Sequence, residues 1–537
     1  MKTKTITGLA LGILGFLTPL LFDLPGLGFA GQVTLGIFLL AAAFWLFEPV
    51  PIYTTSMLVI FLEVLLLSAE GPLCKLSQPP AVSPRAVPES QDFTLPAASL
   101  VETNQVLLRG PGPLPGRIAV EILDRAGDEV RVRAFELSTN SLVITRPRHW
   151  LNTYRPTPYR DFFAALADPI IILFMGGCLL ADGAVKYRLD RSLTRLFLKP
   201  LGTRPAFVLL GLMGATGILS AFMSNTATTA MMMTVVLPIL ARLADDDPLR
   251  TAVVLSIPVG ANIGGIATPI GTPPNAIALS ALSQQGLGIP FARWVVMALP
   301  IVLLTMAFAW FLLLRLYPAR TGSLTLDLPG KFDRSPRALG LYAVFGATAL
   351  LWFTEKQHGI SSNIVAFLPV VALPMLGIVG KKEIRGLPWE VFWLMAGGIS
   401  LGTAIKTTGL AAWMVGRVDW SSMGAFAITA GMVLVGFVMA NFLSHTVTVT
   451  LLAPIAVSVG AVAGRATGFD LAPTLVAVAV ASSYGMTLPI STPPNAIAMG
   501  SGMLQNRDLM KTGAIIGAVG LALALLCARF YWPLFNP

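Results

Sequence analysis

Long apolar stretches, separated by short polar ones, cover most of the chain. Two of them, 205–243 and 422–462, are interrupted near the middle by polar triplets at 224–226 and 444–446. We predict that each is a re-entrant hairpin whose tip lies inside the membrane, where non-helical backbone is tolerated only under cover of protein or of a water-filled cavity. Crossing a bilayer as a helix takes about 20 apolar residues, and the stretches near this length are roughly 6–22, 28–47, 51–69, 164–185, 251–270, 291–314, 338–354, 361–379, 389–409, 472–490 and 512–531.

This pattern predicts an all-α polytopic membrane protein with about 11 transmembrane helices and two re-entrant hairpins. Composition excludes other classes: 55% of the 537 residues are hydrophobic and 12% are charged, whereas soluble domains are about a quarter charged. The net charge is +10, but the basic residues are spread along the chain, so we expect no nucleic-acid partner. Cys74, Cys178 and Cys527 lie far apart, which predicts neither a disulfide framework nor a zinc cluster.

The distribution of Lys and Arg predicts the orientation. Basic residues concentrate in segments such as 186–204, 315–337 and 381–385, which lie on the same side as the N-terminus if the predicted spans alternate. Because basic residues favour the cytoplasmic side, we expect the N-terminus inside and the C-terminus outside. We expect a multi-pass protein of a bacterial cytoplasmic (inner) membrane.

Two polar motifs occur twice, at one spacing. Ser-Asn-Thr at 224–226 corresponds to Ser-His-Thr at 444–446, and Thr-Pro-Pro-Asn at 272–275 recurs at 492–495, so both pairs are 220 positions apart (444 − 224 and 492 − 272). With the orientation above, the first hairpin enters from inside and the second from outside. Inverted repeats with broken helices that meet near the middle of the bilayer are typical of secondary transporters.

Residues 72–157 have no counterpart in the second half. They are rich in Pro and charge, and the segments 118–122 and 130–133 alternate around Gly127-Asp128, which is typical of a β-hairpin. We predict a small, partly β domain outside the membrane, preceded by a Pro-rich linker, and we assign it no chemistry. The predicted organisation is 1–71 for the first helices, 72–157 for the insert, 158–336 for the rest of repeat 1 and 337–537 for repeat 2.

The duplicated motifs carry the predicted chemistry. Unpaired N–H groups at the start of a helix bind anions without a permanent cation, and Pro breaks a helix and frees carbonyl oxygens that a small cation such as Na⁺ can use. Alone, Ser-Asn-Thr would be only an N-cap and Thr-Pro-Pro only a loop; their duplication favours a binding site. We predict that the anion is bound by Ser224, Asn225, Thr226, Thr272, Pro273, Ser444, His445, Thr446, Thr492 and Pro493.

These paired motifs closely resemble those of the divalent anion/sodium symporter family, the carriers of di- and tricarboxylates and sulfate. The resemblance covers the chain outside the insert. It implies a homodimer in which a transport domain moves as an elevator against a scaffold domain, and substrate carboxylates held by the triplets. By motif position it also implies a first Na⁺ site formed by Ser220, Ser224, Asn225 and Gly271.

The second Na⁺ site departs from the family pattern. It would be formed by Ala440, His445 and Ser491, but Ala440 stands where sodium-coupled members have Thr, and His445 stands where they have Asn. Both changes remove oxygen ligands, and an imidazole can supply the charge of a proton instead. Our hypothesis is that this Na⁺ site is lost, which favours exchange or partly proton-linked transport. Alternatively, His445 is a neutral donor to the substrate and one Na⁺ site suffices.

We therefore expect a carrier of C4-dicarboxylates such as succinate, malate or fumarate, coupled to Na⁺ or H⁺. A sodium-coupled citrate or sulfate symporter is the alternative, and an ion channel or a ligand sensor based on the insert are further ones. Gly398-Ile399-Ser400-Leu401-Gly402 matches the nucleophile elbow of hydrolases, but it lies in a continuous apolar stretch. We therefore expect no enzymatic activity.

Overall fold

The computed structural model describes residues 2–22, 24–71, 92–96, 117–126, 129–137, 157–244, 246–324, 332–417, 423–489 and 491–535. The helices before the first hairpin are α1 (Lys2–Leu21), α2 (Phe29–Phe47), α3 (Ile52–Leu67), α4 (Tyr159–Ala164), α5 (Pro169–Lys186) and α6 (Leu189–Leu198). Those that follow in the first half are α7 (Pro205–Ser220), α8 (Asn225–Leu240), α9 (Leu249–Gly265), α10 (Pro273–Ser283) and α11 (Phe291–Leu316).

The second half is helical as well. It consists of α12 (Pro336–Phe353), α13 (Glu355–His358), α14 (Ser362–Val365), α15 (Phe367–Met375), α16 (Lys381–Arg385), α17 (Trp389–Thr407), α18 (Leu410–Gly416), α19 (Ala425–Phe442), α20 (His445–Thr467), α21 (Leu471–Ser483), α22 (Pro493–Gly500) and α23 (Asn506–Leu526). Because each half contains one hairpin and one break, helices α7 to α11 correspond in order to α19 to α23.

Each predicted apolar stretch coincides with one or two helices. Of the described residues, six helical segments are long and apolar enough to cross a bilayer, at 29–47, 159–186, 291–316, 336–353, 425–442 and 506–535, and other apolar helices are shorter. Helices α7 and α8 of the first hairpin have 16 residues each, about 24 Å at 1.5 Å per residue, which is less than the hydrocarbon thickness of about 30 Å. The number of helices that span the bilayer stays a prediction.

The chain divides into two compact units. The first consists of Met1–Pro49, Leu58–Phe163 and Thr403–Trp413. In it α1 packs closely on α2, since a Cβ atom on Gly36 would lie 2.6 Å from the carbonyl oxygen of Phe16. Small residues allow such close helix contacts where there is no hydrophobic drive between lipid-facing helices.

The insert contains a three-stranded antiparallel sheet in the order β1 (Asp92–Pro96), β3 (Glu129–Leu137), β2 (Arg117–Ala126). The segments predicted to form a hairpin belong to β2 and β3, which pair from Arg117 opposite Leu137 to Ala126 opposite Glu129, with a register shift between Ile122 and Asp124. The predicted Pro-rich linker and the turn at 127–128 lie outside the described residues. The boundaries of the insert and of the repeats stay predictions.

The second unit consists of Val50–Met57, Ala164–Gly402 and Met414–Pro537 and contains both hairpins. In each half the first hairpin helix packs on the broken helix that follows, α7 on α9 and α19 on α21. The halves also exchange contacts, because α10 packs against α20 and α22 packs against α8. The helix that starts at the first proline of each Thr-Pro-Pro-Asn motif therefore lies beside the hairpin of the other half.

The far end of the first hairpin is anchored by one buried carboxylate. Asp247, in the loop between α8 and α9, accepts hydrogen bonds from the backbone N–H groups of Leu249 (2.9 Å), Arg320 (3.3 Å) and Thr321 (3.1 Å), and from the Thr321 hydroxyl (2.8 Å). Burial opposes its charge, but these bonds prevail and lower the pKa of Asp247. The segment after α11 is thereby held to the base of the hairpin.

Helix α6 was not predicted. Its segment, 186–204, was identified only as a basic loop, because ten residues (Leu189–Leu198) are too few for a span. The helix buries Leu189 and Leu198 and leaves Leu196 57% exposed. Short helices of mixed polarity are hard to detect from apolar length alone.

Candidate anion and cation site

Each polar triplet forms the start of a helix, as the spacing predicts. Ser224 is the N-cap of α8, and its hydroxyl oxygen accepts from the backbone N–H of Ala227 at 3.3 Å. Ser444 caps α20 in the same way, accepting from Val447 N–H at 3.2 Å. The first N–H groups of both helices have no partner within the helix, so each tip presents donors and a partial positive charge.

The two tips differ in exposure. Ser224 and Thr226 are exposed, whereas Ser444 and Thr446 are half-buried. Asn225 is half-buried and His445 is 8% exposed. The first tip is therefore the more open one in this structure.

The breaks between the halves of each broken helix are stabilised by the Asn of Thr-Pro-Pro-Asn. The side-chain amide of Asn275 donates to the carbonyl oxygens of Gly265 (3.1 Å), Ile266 (3.4 Å) and Thr268 (2.8 Å). These carbonyls belong to the end of α9 and the loop that follows. The amide of Asn275 thus takes the place of backbone N–H donors at carbonyls that the break frees, and each carbonyl keeps a second lone pair. That freed carbonyls contribute to a cation site stays a prediction.

The second break repeats this arrangement. The amide of Asn495 donates to the carbonyl oxygens of Met486 (2.9 Å) and Leu488 (3.1 Å), which are the positions 220 after Ile266 and Thr268. Thr492 caps α22 by accepting from the N–H of Asn495 at 3.2 Å, whereas Thr272 makes no such bond at the start of α10. The same side-chain type thus closes both loops, and this parallel supports the predicted duplication.

Three oxygens meet beside the first tip. The Ser220 hydroxyl lies 2.6 Å from Oδ1 of Asn225 and 2.9 Å from the carbonyl oxygen of Ala261, and one hydroxyl hydrogen cannot serve both acceptors. Gly265 lies next to the same amide, since a Cβ atom there would collide with Oδ1 of Asn225. Gly271 is held against Gly265 in turn, because a Cβ on Gly271 would collide with the Gly265 carbonyl oxygen. The structure thus brings Ser220, Asn225 and the loop of Gly271 together.

The corresponding place beside the second tip has a different composition. His445 is buried, and its Nε2 lies 3.0 Å from the carbonyl oxygen of Gly485. Because a carbonyl only accepts, Nε2 carries a hydrogen and Nδ1 is the ring atom that can gain one. Ala440 packs on the same loop, since a Cβ on Gly485 would lie 2.6 Å from that of Ala440. The hydroxyl of Ser491 donates to the Leu488 carbonyl at 2.7 Å.

One buried amide joins the two halves and was missed by the sequence analysis. Asn262, in the last turn of α9, donates through Nδ2 to Oγ1 of Thr492 and to Oδ1 of Asn495, both at 3.3 Å. A lone amide in an apolar helix was the signal that could have identified it. Nothing in the sequence names its partners, which lie 230 and 233 positions away.

Of the other predicted residues, Thr272 and Thr492 are buried, Pro273 is half-buried and Pro493 is exposed. All lie at the N-termini of α10 and α22, which pack against the hairpin helices of the opposite half. The predicted anion residues therefore belong to four helix starts of a single compact unit.

A family model described as the sodium:sulfate symporter transmembrane region matches residues 160–536. The match covers both hairpins and both breaks and leaves out the insert. The chain belongs to this family. It is therefore a multi-pass integral membrane protein of a family of transporters, and the resemblance to the divalent anion/sodium symporters is confirmed.

Relatives of this chain differ in what their names say they carry. An uncharacterized transporter of Haemophilus influenzae is 27% identical over 70% of the chain and 83% of its own length. The sodium-dependent high-affinity dicarboxylate transporter 3 of Caenorhabditis elegans is 30% identical over 66% of the chain and 73% of its own. The inorganic phosphate transporter PHO87 of Saccharomyces cerevisiae is 29% identical over 68% of the chain but only 40% of its own.

Proposed function

We propose that this protein is a secondary active transporter of small divalent anions, most of all C4-dicarboxylates such as succinate, malate and fumarate. The observation that carries the proposal is the pair of N-capped tips, α8 and α20, each packed against the broken helix of the other half. The relative named as a dicarboxylate transporter supports this choice of substrate.

The tips supply the chemistry for binding a dianion. Ser224 and Ser444 use an oxygen lone pair to cap their helices, so each hydroxyl hydrogen remains to be donated to a carboxylate oxygen. Thr226 and Thr446, two positions on, add a second hydroxyl at each tip. Hydroxyls and helix dipoles bind anions at a lower cost inside a membrane than Arg or Lys would.

The first Na⁺ site fits the residues present. A small hard cation takes oxygen ligands. Asn225 Oδ1 and the Ala261 carbonyl oxygen lie 2.6 Å and 2.9 Å from Ser220 Oγ. Na⁺ would relieve the competition of two acceptors for one hydroxyl hydrogen. Bound beside Asn225, it would also neutralise part of the charge of a dianion at the same tip.

The second site favours a proton over Na⁺. Ala440 offers no oxygen, and the Nε2 atom of His445 is occupied by the Gly485 carbonyl. Protonation at Nδ1 would place a positive charge at the tip where a second Na⁺ is expected in the family pattern. We propose reduced sodium coupling, with exchange or partly proton-linked transport. A neutral His445 that donates to substrate is the alternative within the same function.

Transport by an elevator motion of a homodimer is part of the proposal, since the resemblance implies both. We propose that the N-terminus lies inside, the C-terminus outside and the insert outside, in a bacterial cytoplasmic membrane. Secondary carriers with inverted repeats hold their substrate at the interface of the repeats, and the exchanged packing of α10 on α20 and of α22 on α8 is consistent with that position.

A sodium-coupled carrier of citrate or sulfate is the second candidate. The matching family model is described by sodium and sulfate, and a relative is named a phosphate transporter. Tetrahedral oxyanions accept the same hydroxyl and N–H donors as carboxylates. The tips therefore support a divalent oxyanion of either kind as substrate, and the relative named a dicarboxylate transporter favours the dicarboxylate.

Uptake of labelled succinate into proteoliposomes tests the proposal. We expect saturable uptake that unlabelled succinate inside accelerates, stronger competition by malate and fumarate than by citrate, sulfate or phosphate, and a dependence on both Na⁺ and pH. Trans-acceleration distinguishes a carrier from a channel. Preferential uptake of sulfate or phosphate would show that the substrate is an inorganic anion and not a dicarboxylate. Strict dependence on two or more Na⁺ per substrate would contradict the proposed replacement of the second Na⁺ site by His445.

A further inference from the structure

The hydroxyl of Thr492 has all its acceptor capacity in use. Its oxygen accepts from the amide of Asn262 at 3.3 Å and from the backbone N–H of Asn495 at 3.2 Å. A hydroxyl has two lone pairs and one hydrogen, so these two bonds leave only the hydrogen. Thr492 is 2% exposed, and among the residues that the structure describes none accepts this hydrogen.

The orientation of Asn262 is determined by its neighbours. Asn495 must direct Nδ2 at the Met486 and Leu488 carbonyls, so its Oδ1 faces Asn262. Asn262 can therefore present only its NH₂ group to Asn495, and the same NH₂ group reaches Thr492. Reversing the amide of Asn262 would set two carbonyl oxygens against each other, which is unfavourable without a donor between them.

The related position in the other half lacks this arrangement. Ser482 lies 220 positions after Asn262, and its buried hydroxyl has no hydrogen-bond partner among the described residues. Oδ1 of Asn275, which corresponds to the Asn495 oxygen, is likewise unpaired. Thr272 has no bond that caps its helix. Only the second Thr-Pro-Pro-Asn motif has an amide from the opposite half that orients its threonine.

We infer that Asn262 is a positioning residue for anion recognition: by occupying a lone pair of Thr492, it leaves the Thr492 hydroxyl with a single role, as a donor to an oxygen of the transported anion. The inference rests on the proposed function, since it needs an anion at the start of α22. An unpaired buried hydroxyl hydrogen is costly, and a carboxylate or other oxyanion oxygen is the acceptor that satisfies it. Asn262 thus makes the first repeat part of the second repeat's site.

A double-mutant cycle tests this inference. We expect Asn262→Leu, which keeps a similar volume without donors, to raise the KM for the transported anion about tenfold or more, the size of one hydrogen bond to a charged group, with a smaller change in maximal rate. Thr492→Val should do the same. Because Asn262 acts through the Thr492 hydroxyl, the double variant should match Thr492→Val alone within about twofold.

Controls separate this role from a structural one. Ser482→Ala removes the unpaired hydroxyl at the related position and should leave KM unchanged. If the two single effects multiply in the double variant, Asn262 is only structural and the inference is wrong. Asn262→Ser, which shortens the side chain beyond reach of Thr492, replaces Asn262→Leu if that variant is not recovered folded.

The cycle uses whichever anion the wild-type protein carries in the uptake panel. An error in the proposed substrate can therefore be distinguished from an error in the role of Asn262. A wild-type protein that carries sulfate or phosphate changes the substrate and still permits the cycle. A wild-type protein that carries no anion overturns both.

Discussion

The two hairpin tips share one backbone arrangement and differ in the side chains placed on it. In both, a serine caps the helix and the amide of an asparagine closes the adjoining loop. Beside the first tip, Ser220, Asn225 and the Ala261 carbonyl bring three oxygens together. Beside the second, Ala440 offers none and the ring of His445 bonds to the loop.

The comparison separates residues that the backbone arrangement requires from residues that can differ between the halves. The loop-closing asparagines satisfy buried carbonyls in either half, and an unpaired carbonyl inside the membrane costs several kcal/mol by general estimates. The proposed ion-binding positions have no such constraint, because they close no loop of the backbone. Ser220 and Asn225 accordingly differ from their counterparts, Ala440 and His445, whereas the loop-closing asparagine is the same in both halves.

Substitutions at the two hairpin tips should have the largest effect on transport. We expect Thr226→Val and Thr446→Val each to lower the rate of anion uptake by about ten- to a hundredfold, because each removes a hydroxyl donor to a charged substrate. The initial rate of uptake at a subsaturating substrate concentration measures this loss. Thr234→Val, on the same helix as Thr226 but exposed and bonded to Met231, should be near wild type. Near-normal uptake in both tip variants would refute the site.

The asparagines test whether the backbone arrangement is shared. Asn275→Leu and Asn495→Leu should each lower the free energy of unfolding by about 2–3 kcal/mol, since each leaves two or more buried carbonyls unpaired. Thermal unfolding in detergent shows the loss as a lower Tm. Gln284→Leu changes an exposed amide and should have little effect. A large drop in Tm for one variant and none for the other would show that the two loops are not stabilised in the same way.

The ion sites test the difference directly. Ala440→Ser together with His445→Asn gives the second tip the side chains of the first, and we expect a steeper Na⁺ dependence and a weaker pH dependence of uptake. Ser220→Ala should raise the Na⁺ concentration needed for half-maximal uptake several-fold, about the worth of one lost ligand. Unchanged Na⁺ dependence in the double variant would show that the second tip lacks a cation site for other reasons.

Substitution of Asp247, at the base of the first hairpin, should have the smallest effect, and that effect should be on stability. Bonding lowers the pKa of Asp247 in the folded protein, so its contribution to stability is present above the unfolded pKa of about 3.9 and is lost as pH falls through the folded value. Asp247→Asn should cost about 1–2 kcal/mol at neutral pH, measured by Tm, and should lessen the loss of stability in acid. An equal acid sensitivity in the variant would contradict this assignment.

Each apolar stretch predicted from the pattern coincides with one or two helices, because length and hydropathy alone decide whether a stretch can be buried in a bilayer. The duplicated motifs located both tips and both breaks. Helix α6 was missed because it is short and of mixed polarity. The roles of Asn275 and Asn495 were missed although both belong to the duplicated motif, since a motif shows which residues recur and not which carbonyls they contact.

By itself the sequence determined the class of protein, the position of the two hairpins and the residue types at their tips, because these follow from apolar length, helix-capping chemistry and repetition at a constant spacing. Only the tertiary structure decided the partners: Asn262 with Thr492, His445 with Gly485, and Ser220 with the Ala261 carbonyl. Those pairs lie from 40 to 230 positions apart. Their contacts depend on how helices that are distant along the chain pack together, which no local pattern records.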